Sequence, residues 1–169
     1  MAAKEQFAQL FKDEHRGIRD ALLNLIQAFR NRDPLNVRLF LNQVAVLSGP
    51  HFRYEEEAFY PALVEVLDQE QVDKLLADHH GAIETARRLS ELAQKDALTK
   101  EEALSGAKHA RSLLPHVFEC DGLSIIAELL PEMAMNEVLD VRVRSLGENL
   151  DLLRWADKAR SRPLAHQTL

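Results

Sequence analysis

His51 stands four residues before Glu55 in the stretch GPHFRYEEEAFYPAL, residues 49–63. On a helix that spacing puts an imidazole and a carboxylate one above the other on the same face. Three more histidines lie in similar patterns. His15 follows Phe11 by four and precedes Ile18 by three. His79 follows Leu75 by four and precedes Ile83 by four, and His116 follows Leu113 by three and precedes Leu123 by seven. Each therefore belongs to the apolar stripe of its helix. One such histidine reads as a core residue bonded to a backbone carbonyl. Four of them beside an inward Glu55 read differently. A carboxylate buried without a partner costs several kcal/mol or takes up a proton. A divalent or trivalent cation removes that cost, and imidazole with carboxylate is the donor set of non-haem iron, manganese or zinc. The expected chemistry is metal binding.

Helices must position these groups, because apolar residues recur at helical spacing almost throughout the chain. The first run is Phe7, Leu10, Phe11, Ile18, Leu22, Leu25, Ile26 and Phe29, and NRDP stops it near residue 31. The second starts at Val37 and continues through the opening stretch towards residue 60. The third uses Val72, Leu75, Leu76, Ile83, Ala86, Leu89 and Ala93. Thr99 with Glu102 forms a capping-box signal for a fourth helix over 100–130. LLPEM breaks it, a fifth helix is expected over 134–158, and SRPLAHQTL reads as a frayed tail. Short connections make neighbouring helices antiparallel. The expected fold is all-α: an up-down antiparallel four-helix bundle over 1–130, with an additional C-terminal helix and tail, 131–169, packed on the same domain. At ~1.5 Å per residue such a bundle brings the four histidines to comparable depth. Pro50 and Pro115 each precede a histidine. Each proline either starts a helical segment or kinks one so that the next side chain points inward.

The totals agree with a single domain. The chain has 169 residues, 46% of them hydrophobic and 28% charged, with six glycines and six prolines. A net charge of −6 argues against nucleic acid, and KARSR near the C-terminus reads as a solvated helix end. The one cysteine, Cys120, allows no internal disulfide. No run approaches a membrane span, and the N-terminus has no signal-peptide core. A cytoplasmic location is expected, with no membrane partner.

The segments EHRGI (14–18), HFRYEEEAFYPAL (51–63), DHHGA (78–82) and HVFECD (116–121) resemble the hemerythrin-like, or HHE cation-binding, domains over about residues 7–130. The first and third segments also resemble each other. The resemblance implies a non-haem, usually di-iron, centre bridged by carboxylates and capped by histidines. His15, His51, Glu55, His79 and His116 match its ligand positions. The last motif departs, because Cys120 stands where many members have glutamate. The HxxxxD spacing of the hemerythrins proper nominates Asp121 as the sixth ligand. On a straight helix Asp121 would lie ~140° from His116, so it needs a kink at Pro115 or a bulge before Gly122. Glu119 is sterically easier, and Cys120 reads as a small buried hydrophobe rather than a thiolate ligand. Leu75 stands where oxygen carriers have a further histidine, which argues against reversible oxygen carriage.

The neighbouring groups receive milder readings. His80 with Glu84 reads as a surface pair, and His109 as a residue further along the interior. Glu56 and Glu57 extend the acidic cluster, with at least one solvated, and Tyr54, Tyr60 and Trp155 either gate or line the site or, more often for such residues, simply pack. The leading expectation is a protein holding one or two iron ions, acting as sensor, carrier or store for iron, oxygen or nitric oxide. Its expected partners are a small diatomic ligand and a second copy bound through the fifth helix. A small di-iron oxidase, peroxidase or iron-sulfur repair enzyme, and a metal-free interaction bundle, are the alternatives.

Overall fold

The computed structural model describes residues 2–120 and 122–160; Asp121, the side chain of Glu119 and the expected tail at 161–169 lie outside the described residues. The chain is an all-helical bundle with no strand among the described residues. Helix α1 spans Ala3–Arg30, and α2 spans Pro34–Tyr54. A π-helical turn, Glu55–Phe59, carries α2 into the short α3, Tyr60–Leu63. Helix α4 is Gln69–Ala93 and α5 is Lys100–Arg111. Then follow α6 (Leu114–Cys120), α7 (Leu123–Ile126) and a 3-10 turn, Ala127–Leu129. Two helices close the described chain, α8 at Glu132–Glu148 and α9 at Leu152–Lys158.

The starts of α2, α4, α5 and α9 are capped by short polar side chains that accept orphan N–H groups. Asp33 accepts from Asn36 N at 3.1 Å, and Asp68 from Gln71 N at 2.9 Å. Thr99 and Glu102 complete the reciprocal capping box, at 3.2 and 2.9 Å.

Two expected helices are broken. The fourth is divided into α5, α6, α7 and the 3-10 turn. Pro115 sits in the first turn of α6, where its missing N–H costs nothing. Pro50, by contrast, lies inside a continuous α2. The fifth helix is really α8 and α9. Asn149 takes the left-handed conformation (φ 50°, ψ 42°) that ends α8, and Asp151 caps α9 by accepting from Arg154 N at 3.0 Å.

Helix α1 packs on α2, α5 and α8, and α4 packs on α2, α5 and α9. Gly49 lets the start of α9 approach α2. A Cβ at this position would lie 2.7 Å from Asp151 C and 2.8 Å from Leu152 N, inside any tolerable contact. Helix α8 spends Met135, Val138 and Val141 on the chain's own core, so a second copy would have to use its outer face, where Val143 and Leu146 are exposed.

The core falls into apolar clusters. One gathers Ile18, Leu22, Leu25, Phe29, Val37 and Leu89. Another gathers Phe7, Phe11, Phe59, Leu63, Met135 and Val138. His15 lies on α1 between Phe11 of one and Ile18 of the other. A polar layer thus interrupts the core at that level.

Candidate metal centre

The polar layer is built from helix faces. His15, His51, Glu55 and His79 are each 1% exposed or less. Their donor atoms converge. His15 Nε2 lies 3.0 Å from His51 Nε2. Glu55 Oε2 lies 3.1 Å from His79 Nε2 and 3.5 Å from His51 Nε2. Neither contact to Glu55 has hydrogen-bond geometry. Both carboxylate oxygens are therefore buried without a hydrogen-bond donor among the described residues. A native core rarely tolerates such a group.

Two sets of donors surround this carboxylate. Glu55, His79 and His116 each offer an atom within 4.8 Å of the others, and so do His15, Glu55 and Cys120. Adjacent donors at ~2.1 Å from one octahedral ion lie ~3.0 Å apart. The spacings of 3.0 and 3.1 Å fit that figure. Imidazole, carboxylate and thiol are donors for first-row transition metals, so the residues present fit a metal.

The four histidines and Glu55 that sequence spacing singled out lie together in this layer, and Cys120, a buried member of an apolar cluster as expected, also faces it. It is 1% exposed, with Sγ 3.6 Å from His116 Nδ1. Asp121 and the side chain of Glu119 lie outside the described residues. His80 is exposed, while His79 is buried. His109 turns instead to Ser105, at 3.4 Å.

The carboxylates around the layer do more than the sequence indicated. Glu14 Oε2 accepts from His51 Nδ1 at 2.8 Å and from the Tyr54 hydroxyl at 2.8 Å. Its other oxygen accepts from Arg142 Nε at 2.6 Å. Glu56 Oε1 lies 3.0 Å from His79 Nδ1, and Glu56 also accepts from Arg160 Nε and Nη2 at 2.9 Å. Of the two glutamates after Glu55, Glu56 has its side chain largely buried, and Glu57 is exposed and pairs with Arg53 at 2.8 Å. Tyr60 Oη lies 3.0 Å from His79 Nε2. Tyr54 and Tyr60 are hydrogen-bonding residues of the layer, not packing alone. Trp155 is a packing residue, with Phe52, Ile83 and Leu152. The KARSR stretch is not a solvated helix end at Arg160, whose side chain is 9% exposed. The first residue of the EHRGI segment was the available signal for Glu14. Nothing local marks Arg142 or Arg160.

Backbone geometry explains Tyr60. The π turn bonds Tyr60 N–H to Glu55 O, five residues back. Residues five apart point ~140° away from each other on an α-helix but come into register on a π turn. Glu55 and Tyr60 therefore reach the same His79 nitrogen.

The electrostatics favour cations. Burial alone would raise the Glu55 pKa, but the His51, His79 and His116 imidazoles bring it down to about 2. Burial alone would lower His51 and His79, but the adjacent carboxylates raise both above the usual 6.5. Burial and the neighbouring His79 push His116 down to about 3. The adjacent carboxylates thus favour the protonated forms of His51 and His79.

Beside the layer lies an apolar cavity of about 30 Å³, lined by His15, His51 and His116 together with Ile18, Leu22 and Val44 among others. Among the described residues no helix is long and apolar enough to cross a membrane.

No curated protein and no solved structure matched the chain. The hemerythrin HHE cation-binding domain matches residues 6–123, more than half of the chain, and reaches from α1 to the start of α7. The matched region carries the four inward histidines, Glu55 and Cys120, and the protein belongs to the hemerythrin HHE cation-binding family.

Proposed function

We propose that the chain holds one or two non-haem iron ions in this polar layer and serves as a sensor, carrier or store for iron or a small diatomic molecule. The observation that carries the reading is the Glu55 carboxylate, fully buried with neither oxygen hydrogen-bonded among the described residues. Glu55 is common to both donor sets and would hold metal with His15 and Cys120 on one side and with His79 and His116 on the other, with His51 beside His15. Asp121 is retained as a further ligand, to be tested by its variant. Bound iron would supply a redox-active Lewis acid able to take a diatomic ligand.

The chain's own residues shape what could reach it. Ile18, Leu22 and Val44 present an apolar wall to the cavity. A cavity of about 30 Å³ is large enough for a molecule of one or two heavy atoms. Oxygen and nitric oxide fit both the size and the polarity. The packing of α1 on α2 and α5, and of α4 on α2 and α5, supports an antiparallel four-helix bundle, with α8 and α9 added after about residue 130. The single cysteine suits a cytoplasmic location.

Anaerobic reconstitution with ferrous iron, followed by desalting and elemental analysis, tests the reading. One to two iron atoms per chain are expected. Less than half an equivalent of any transition metal overturns it.

A further inference from the structure

The family match ends at residue 123, yet two arginines beyond it reach the histidines of the polar layer. Arg142 on α8 donates to Glu14, whose other oxygen accepts from His51 Nδ1. Arg160, just past α9, donates through Nε and Nη2 to Glu56, which in turn meets His79 Nδ1. The two relays are built alike. Each carboxylate sits next in sequence to an inward residue of its own segment, Glu14 beside His15 and Glu56 beside Glu55, and holds a histidine on another helix. In each case the relay uses Nδ1 and leaves Nε2 turned to Glu55, at 3.5 Å for His51 and 3.1 Å for His79.

We propose that the C-terminal helices complete the metal centre: Arg142 through Glu14 and Arg160 through Glu56 fix the orientation and tautomer of His51 and His79, and so set the metal affinity. The proposal rests on the metal reading above. Its physical basis is that a carboxylate accepting the Nδ1 proton holds the ring in place and keeps the Nε2 lone pair available. An arginine holding that carboxylate removes its freedom to swing into solvent. Burial strengthens the effect at Glu56, where the paired side chains are 7% and 9% exposed, compared with 21% and 19% at Glu14 and Arg142. Arg142 and Arg160 are positioning residues that touch no ligand position themselves.

Arg142→Met and Arg160→Met in the full chain test this, with ferrous iron as the probe. Affinity is read anaerobically against a chromogenic chelator. Apo stability is read by urea unfolding, and the imidazole nitrogens by ¹⁵N NMR. Each variant is expected to bind iron ~10–100-fold more weakly, while the apo chain stays folded. The Nδ1 resonance of His51 should move in Arg142→Met, and that of His79 in Arg160→Met. Lysine variants separate positioning from simple helix docking. Arg142 uses one nitrogen, so Arg142→Lys should restore most of the affinity. Arg160 uses a two-nitrogen fork that lysine cannot reproduce, so Arg160→Lys should restore little. Affinities within twofold of wild type in both methionine variants would overturn the proposal. If wild type itself binds no metal, the function reading fails, and the resonances then decide: unmoved Nδ1 signals also overturn the positioning.

Discussion

Phe52 and His79 lie face to face, with ring centroids 3.8 Å apart and planes 4° from parallel. The same phenyl meets His116 edge-on at 5.2 Å. Phe52 is therefore the wall against which one pair of inward imidazoles is set. Phe52→Ala should cost about 3–5 kcal/mol in folding stability. Phe52→Leu refills much of the space and should cost less, but it removes the flat face. We expect Phe52→Leu to remain folded and to bind iron about tenfold more weakly, an effect of outer-shell size. Chelator competition beside urea unfolding measures both, and unchanged affinity would mean that the stacking does not orient His79.

Cys120 and Asp121 give opposite expectations for the second donor set. Cys120 Sγ lies within 4.8 Å of a donor atom of each of His15 and Glu55. Cys120→Ser should lower the iron content towards one per chain and remove any thiolate-to-iron charge-transfer absorption. If the HxxxxD spacing is what matters, Asp121→Ala will lower the content instead and Cys120→Ser will not. Elemental analysis and visible spectra of the two variants decide between them.

The apo chain should lose stability as pH rises above neutrality. Burial opposes the charging of His51 and His79, but the neighbouring carboxylates outweigh it and raise both above 6.5. A raised folded pKa gives stability that is complete below the unfolded value and is lost as pH climbs through the folded one. His116, lowered to about 3, works the other way and penalises the fold below 6.5. An apo optimum near pH 6.5 follows. Iron affinity should rise over the range in which apo stability falls, because the metal displaces those protons. Glu55→Gln should flatten the alkaline decline and weaken iron binding by more than the ~10–100-fold of an outer-shell change. Urea midpoints from pH 5 to pH 9, and chelator competition over the same range, test both.

Gly49→Ala should lever α9 from α2, since the added Cβ meets the Asp151–Leu152 backbone. Overpacking of this kind costs about 1–3 kcal/mol. Trp155 is the chain's one tryptophan and is 1% exposed, so its emission reports directly on the docking of α9. A red shift with a lowered unfolding midpoint is expected. Unshifted emission would show that the backbone yields locally instead.

Much of the all-helical architecture was legible because its signals are local: apolar periodicity, the cap at Thr99, and the stops near residues 31 and 131. The inward placement of His15, His51 and His79 was legible for the same reason, since each shares a stripe with leucines or phenylalanines. The break at Asn149 was missed because apolar spacing continues across it, whereas Pro115 had offered the start of a new segment, which α6 bears out. Glu14 was passed over because one residue off a stripe is ~100° round the helix, and its partner belongs to α2. Arg142 and Arg160 were invisible for a stronger reason. Their partners stand 128 and 104 residues away in the chain. Cys120 packs in an apolar cluster, as its place on the stripe indicated, but that spacing could not show that its thiol also lies near His15 and Glu55.

The π turn at Glu55–Phe59 sets local comfort against function. A π turn is equivalent to an α-helix with one surplus residue, and the surplus is retained at a cost in hydrogen-bond geometry. Removing one residue, Ala58 for example, would let α2 run on as an unbroken α-helix. Everything downstream would then be dialled round by ~100°. Tyr60 would leave His79, and Leu63 would leave the core it now fills. Here the more regular helix is the wrong one. A designer who idealised this segment would improve its backbone while uncoupling the two side chains that share one imidazole nitrogen.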